Sequence, residues 1–119
     1  MTLAFAQAGA TGAVEGPPGE PLLATADEVR LVIEACFEQG ARAALLYAPN
    51  LPPAFFDLSS GEAGSLLQRL QNYQIRLALV VAAGTPMSSR FRELLAESQQ
   101  GRDFGVFASR EAAIAWLAG

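Results

Sequence analysis

The chain contains no histidine and no lysine, and it has a single cysteine in 119 residues. Without histidine it lacks the commonest general base at neutral pH, the usual partner of a nucleophilic serine or cysteine, and the most frequent zinc and haem ligand. The lone thiol, Cys36, can form no internal disulfide and has no cysteine or histidine beside it to complete a metal site. The basic residues are eight arginines, scattered among 12 acidic residues for a net charge of −4, so the clustered cations that release counterions from phosphates are missing. This argues against nucleic acid and against an acidic membrane surface as partners. Long apolar runs are missing too: the longest, Leu77 to Ala83, falls far short of the ~20 residues that span a bilayer as a helix. Residues Met1 to Gln7 have neither the basic start nor the apolar stretch of a secretory signal, which makes the cytoplasm the expected location. Nothing in this inventory calls for a cofactor.

Half of the residues are apolar (51%), many of them alanine, and the mean hydropathy of +0.25 is oily for a soluble protein. The length fits one domain able to bury a core unaided, and the excess of apolar surface leaves room for a homodimer joined through a second sheet face or through oily helices.

Local signals predict alternating strands and helices. Leu3 to Phe5 reads as a strand, Gly16-Pro-Pro-Gly19 as a turn, and Pro21 to Ala24 as a second strand. Thr25-Ala-Asp-Glu28 has the spacing of a capping box, so a helix is expected from Ala26, with Val29, Val32, Ile33, Cys36 and Phe37 on its apolar stripe and Gly40 as a left-handed C-cap. Ala43 to Ala48 is apolar on both alternations, as a strand covered on both faces would be. Asn50-Leu-Pro-Pro53 ends it, and Pro52 to Phe56 can form one helical turn. Ser59-Ser-Gly-Glu62 is a second capping box before a helix with Ala63, Leu66, Leu67, Leu70 and Tyr73 inward. Ile75 to Ala83 is the clearest strand. Ser88-Ser89 caps a third helix carrying Phe91, Leu94, Leu95 and Ser98 inward and closed by Gly101. Phe104 to Ala108 is a short strand, and Ser109 caps a last helix with Ala113, Trp116 and Leu117 inward. The expected class is α/β: a mixed, largely parallel sheet of four to five strands, an antiparallel N-terminal edge strand and about four helices.

The segments Phe55-Phe-Asp-Leu-Ser-Ser-Gly-Glu-Ala-Gly64, Gln68 to Leu70, Asn72-Tyr73 and Arg76-Leu-Ala78, followed by Glu97-Ser98, Gly101 and Phe107, resemble the bacterial family called domain of unknown function 4180 (DUF 4180). The likeness runs over nearly the whole chain after Thr25; Ser60 and Gln100 stand where Thr and Asn are typical, and Arg69 stands for Lys. The resemblance implies no activity, because none is assigned to the family. The segment Asp57-Leu-Ser-Ser-Gly-x-x-Gly before an apolar helix is also similar to the Asp-Ser-Ser-Gly-x-Gly segment of STAS domains, which include bacterial anti-sigma-factor antagonists, although the spacing to the aspartate is one residue longer here. That likeness implies a STAS-like fold and a phosphoacceptor serine at Ser59 or Ser60, whose phosphorylation breaks a protein complex.

Two functions of different kinds follow. The leading one is a non-enzymatic regulatory or interaction domain that meets a protein partner through the loop–helix segment 55–64; the other is a small-ligand binder or enzyme with a polar pocket of Asp57, Ser60, Arg76 and Glu97. A partner surface would leave Phe55 or Phe56 exposed, whereas a ligand site would gather the four polar side chains. Capping is a sufficient structural duty for Ser59 and Ser60, and an ion pair with Glu97 or Asp57 is one for Arg76.

Overall fold

The first two strands form a hairpin, β1 (Ala4–Ala8) and β2 (Thr11–Glu15), in an antiparallel register that sets Ala8 beside Thr11 and Phe5 beside Val14. A computed structural model describes residues 3–9, 11–57, 60–82, 84–85, 87–98 and 103–119. The hairpin corrects the sequence reading of its second strand. Thr11 to Glu15 carries little strand signature, yet it pairs with β1 along its whole length, and Gly12 leaves room for the Phe5 ring, from which a β-carbon there would stand 2.6 Å. Pro21 to Ala24 is an irregular connection that buries Leu22 and Leu23.

The helix expected from Ala26 opens with a 3-10 turn (Ala26–Val29) and continues as α1 (Arg30–Gln39), closed by Gly40 at φ +67. The Thr25 hydroxyl makes no cap bond; Glu28 alone reaches back, accepting from the Ala24 N–H at 3.2 Å. Val29, Val32, Ile33 and Cys36 are buried as expected, but Phe37 is 66% exposed. It sits about 100° around the helix from Cys36, on the flank of the stripe in the last turn. Tyr73, also expected inside, is 54% exposed because α2 (Glu62–Asn72) ends one residue before it. The two rings meet edge to face at 5.6 Å on the surface.

Strands β3 (Ala43–Tyr47), β4 (Arg76–Val80) and β5 (Phe104–Phe107) add in parallel to β2, so the sheet order is β1-β2-β3-β4-β5. Each crossover, through α1, through α2 and through α3 (Ser89–Ser98), steps one strand in the same direction. Crossovers of one hand that step one way must all lie on one face. The larger core forms there: Val14, Ala44, Leu46, Leu77, Leu79 and Phe104 of the strands pack against Val32, Cys36, Leu66, Leu70 and Phe91 of the helices. The opposite face is paved mainly with small residues, Ala8, Ala13, Ala43 and Ala78 around Leu45, and is covered by α4 (Arg110–Ala118) through Ala113 and Leu117. That face is therefore occupied by the chain's own helix. Ser88 and Ser109 cap as the sequence predicts, their hydroxyls accepting from the N–H groups of Phe91 (3.1 Å) and Ala112 (3.2 Å). Gly101 lies outside the described residues, as does the Ser98 side chain.

Candidate functional site

Ligands of open α/β sheets gather beyond the carboxyl ends of the strands, above all where the strand order reverses. Here the order never reverses, so topology alone opens no crevice and any concavity must be built by loops. The loop after β3 does this. Tyr47 leads into a 3-10 turn (Ala48–Asn50), then through Leu51-Pro-Pro-Ala-Phe-Phe-Asp57 toward Ser60 and α2.

Asn50 holds the loop. It is 0% exposed and the only buried polar or charged residue among those described. Its Nδ2 donates to the carbonyls of Pro17 (2.7 Å) and Glu20 (2.8 Å), its Oδ1 accepts from the Tyr47 N–H (2.7 Å), and its carbonyl accepts from the Leu23 N–H (2.8 Å). The loop of residues 16–23 is thereby tied to the end of β3. In the sequence Asn50 reads as a strand terminator; the signal of its larger role is an amide between two proline-rich loops whose carbonyls need donors.

These two loops wall a groove of about 610 Å³. Its lining is apolar, with Leu22, Ala48, Leu51, Pro52 and Phe56 prominent, and Glu28 is its one charged residue. Phe56 is half-buried at one end and joins a three-ring cluster with Phe55 and Phe91, the centroids 5.3 to 5.5 Å apart. Phe55 is fully buried in that cluster, so it serves the core and contributes no exposed partner surface.

Ser60 and Asp57 follow on the same loop, both exposed. The Ser60 hydroxyl lies 2.8 Å from the carbonyls of Ala54 and Asp57, sharing its proton between them, and accepts from the Glu62 N–H at 3.2 Å. Gly61 is the N-cap of α2. The Glu62 carboxylate accepts from the Ala26 N–H at 2.7 Å, joining α2 to the 3-10 turn. A shallow polar concavity of about 220 Å³ results, in which Ser60 and Ser65 share the lining with the carboxylate-bearing Asp27 and Glu62. Those carboxylates oppose an anion there. Ser59 and the Glu97 side chain lie outside the described residues.

Arg76 does not join this site. It begins β4, at the end of the parallel strands opposite to the Asp57–Ser60 loop. Its guanidinium donates to the carbonyls of Leu117 (3.2 Å) and Trp116 (3.4 Å) and stacks 4.3 Å over the Trp116 ring, which also packs on Phe107. Of the expected pocket, the structure therefore sets Arg76 apart from Asp57 and Ser60: Arg76 closes the C-terminus of α4, where a cation complements the helix dipole.

Among the described residues, the densest cluster of titratable groups is one that no local sequence pattern marks. Glu15 accepts from the Tyr47 hydroxyl (2.5 Å) and from Nε and Nη2 of Arg110 (2.9 and 3.1 Å). Burial alone would raise the Glu15 carboxyl, but the bonds from Arg110 and Tyr47 outweigh it and hold the group below its ordinary value. Burial and the bond to Glu15 push the Tyr47 phenol up to about 12, and its link to Glu15 raises Arg110. A phenol so reluctant to ionise and an arginine committed to a carboxylate make a clamp between β2, β3 and the start of α4. Burial raises the Cys36 thiol to about 11, leaving it protonated and unreactive at neutral pH.

Among the described residues no group of His, Cys, Asp and Glu could hold a metal ion, and no helix is long and apolar enough to cross a membrane. No curated protein and no solved structure matches the chain. Residues 10–117 match the family described as domain of unknown function DUF4180, and a match over that share of the chain means that the protein belongs to it.

Proposed function

We propose that this domain is a non-enzymatic interaction module of the bacterial cytoplasm that takes an apolar segment of a protein partner into the groove between the loops of residues 21–24 and 48–56. The observation that carries the reading is the groove itself: about 610 Å³, lined by apolar side chains apart from Glu28, rigidified by a buried asparagine, and bordered by the half-buried Phe56. Apolar side chains held open by a satisfied polar anchor are what a recognition pocket requires. Regulation enters through Ser60, which follows Phe56 and Asp57 on the same loop. The competing reading, a small-ligand binder or enzyme, gains nothing from Arg76, whose guanidinium holds the end of α4 away from Asp57 and Ser60.

The test adds charge at the lip without touching the core. Ala24 and Pro53 both line the groove and are exposed. Intact protein should capture a partner from its host, Ala24→Glu with Pro53→Glu should abolish that capture, and Glu111→Gln on α4 should leave it unchanged. Capture that survives the paired lip substitutions would reject the groove.

A further inference from the structure

The strand order leaves β1 at one margin of the sheet, paired with β2 on one side and with no described strand on the other. Such a margin presents a row of N–H and C=O groups ready to pair, and proteins that remain monomeric blunt it with lysine, proline, a bulge or short length. β1 uses none of these: Ala4-Phe-Ala-Gln-Ala8 is uncharged, free of proline and in an unbroken five-residue register with β2. Neutrality extends well beyond the strand, since the first charged side chain of the sequence is Glu15. β5, at the other margin, is four residues long and directly follows Asp103.

We propose that β1 is a self-association surface, pairing antiparallel with β1 of a second copy about a two-fold axis at Ala6 and fusing two five-stranded sheets into one of ten strands. The segment is complementary to itself, which favours a second copy over some other strand. About that axis Ala4 meets Ala8, Ala6 meets Ala6 and Phe5 meets Gln7, so two molecules of net charge −4 approach with no charged side chain in the shared strands. On the α4 side only alanines face one another. On the other side lies Phe5, one of the few large apolar residues left exposed, at 49%. Its ring rests on Gly12 within its own chain, and the two-fold register makes the two Phe5 positions diagonal neighbours about 7–8 Å apart, near enough for the rings to meet after a change of rotamer. Each then covers apolar surface that the monomer leaves wet.

Sedimentation equilibrium on the full chain over a concentration series should give a monomer–dimer equilibrium. Phe5→Lys with Gln7→Lys places lysine opposite lysine twice and should weaken the dimer by about tenfold or more, whereas Phe5→Lys with Gln7→Glu places lysine opposite glutamate twice and should restore it. Both positions are exposed, and circular dichroism checks that the variants fold. Should they fail to fold, hydrogen exchange on the unaltered protein decides, because β1 amides must gain protection as concentration rises. A wild-type monomer at every concentration, a dimer indifferent to the double lysine, equal loss in both pairs of substitutions, or β1 amides whose protection ignores concentration would each overturn the proposal.

Discussion

Gly16 abuts the Asn50 side chain so closely that a β-carbon on Gly16 would overlap the amide, and Leu46 closes the same space from behind. The glycine thus leaves room for the anchor. Replacing Asn50 with alanine takes the side-chain donor from the part-buried carbonyls of Pro17 and Glu20 and the acceptor from the Tyr47 N–H, and should cost about 2 kcal/mol. Gly16→Ala should cost about 2 kcal/mol through overlap. Because both act on one space, Gly16→Ala should cost clearly less when Asn50 is already alanine. Denaturant midpoints of the two single variants and the double variant measure this, and strict additivity would contradict the arrangement.

Arg76 ties the end of α4 to the start of β4 through two carbonyls and a stacked ring. Arg76→Lys keeps the charge but loses the planar fork, and should lower stability by about 1 kcal/mol. Trp116 is the only tryptophan, so its fluorescence reports the loosening directly. An unchanged emission spectrum together with unchanged stability would show that the fork is idle.

The clamp of Glu15, Tyr47 and Arg110 makes stability depend on pH at both extremes. Glu15 titrates below its ordinary 4.5 in the folded chain, so its contribution is complete above that value and disappears as pH falls through the lowered one. Tyr47 is raised from 10.0 to about 12, so its contribution is complete below pH 10.0 and is lost as pH climbs toward 12. Cys36, raised from 9.0 to about 11, adds an earlier alkaline loss. Tyr47→Phe should remove the later alkaline loss and Cys36→Ala the earlier one, each followed by denaturant titration across pH. Identical alkaline profiles in all three proteins would exclude both groups.

Ser60 offers a fourth test. Ser60→Ala removes an exposed hydroxyl that accepts from the Glu62 N–H one position ahead of the Gly61 N-cap, and should cost about 0.5 kcal/mol. Ser60→Glu, in a concavity already lined by Asp27 and Glu62, should drive the Glu62 carboxylate from the Ala26 N–H and speed exchange of that amide by several fold. If exchange at Ala26 does not change, phosphorylation at Ser60 would have no route to the 3-10 turn.

What the sequence announced and what it concealed divide by distance along the chain. Ser88, Ser109 and Gly40 act on residues three or four positions away, and strands β3 to β5 are apolar on both faces, so periodicity and caps revealed them. Gly12 belongs to a strand through its pairing with Gln7, and the Phe5 ring that lies across it comes from seven positions earlier. Glu62 spends its carboxylate on Ala26, 36 residues earlier, and the capping motif at its own helix start gives no hint of that. The members of the clamp are separated by 32 and 95 positions, so no local pattern could join them. At the proposed site the loop was legible, but Asn50, its anchor, resembled punctuation.

The alanine-paved face has a consequence for how the molecule is made. Four of the five strands pair with the strand just before them as parallel or hairpin neighbours, so the sheet and its three-helix side can assemble progressively as the polypeptide emerges. The other side stays bare until Arg110 to Ala118 arrives. A nascent chain stalled before that point would display a wet, alanine-rich plane with Leu45 at its centre, and cellular quality control would meet a half-clad intermediate rather than an unfolded one.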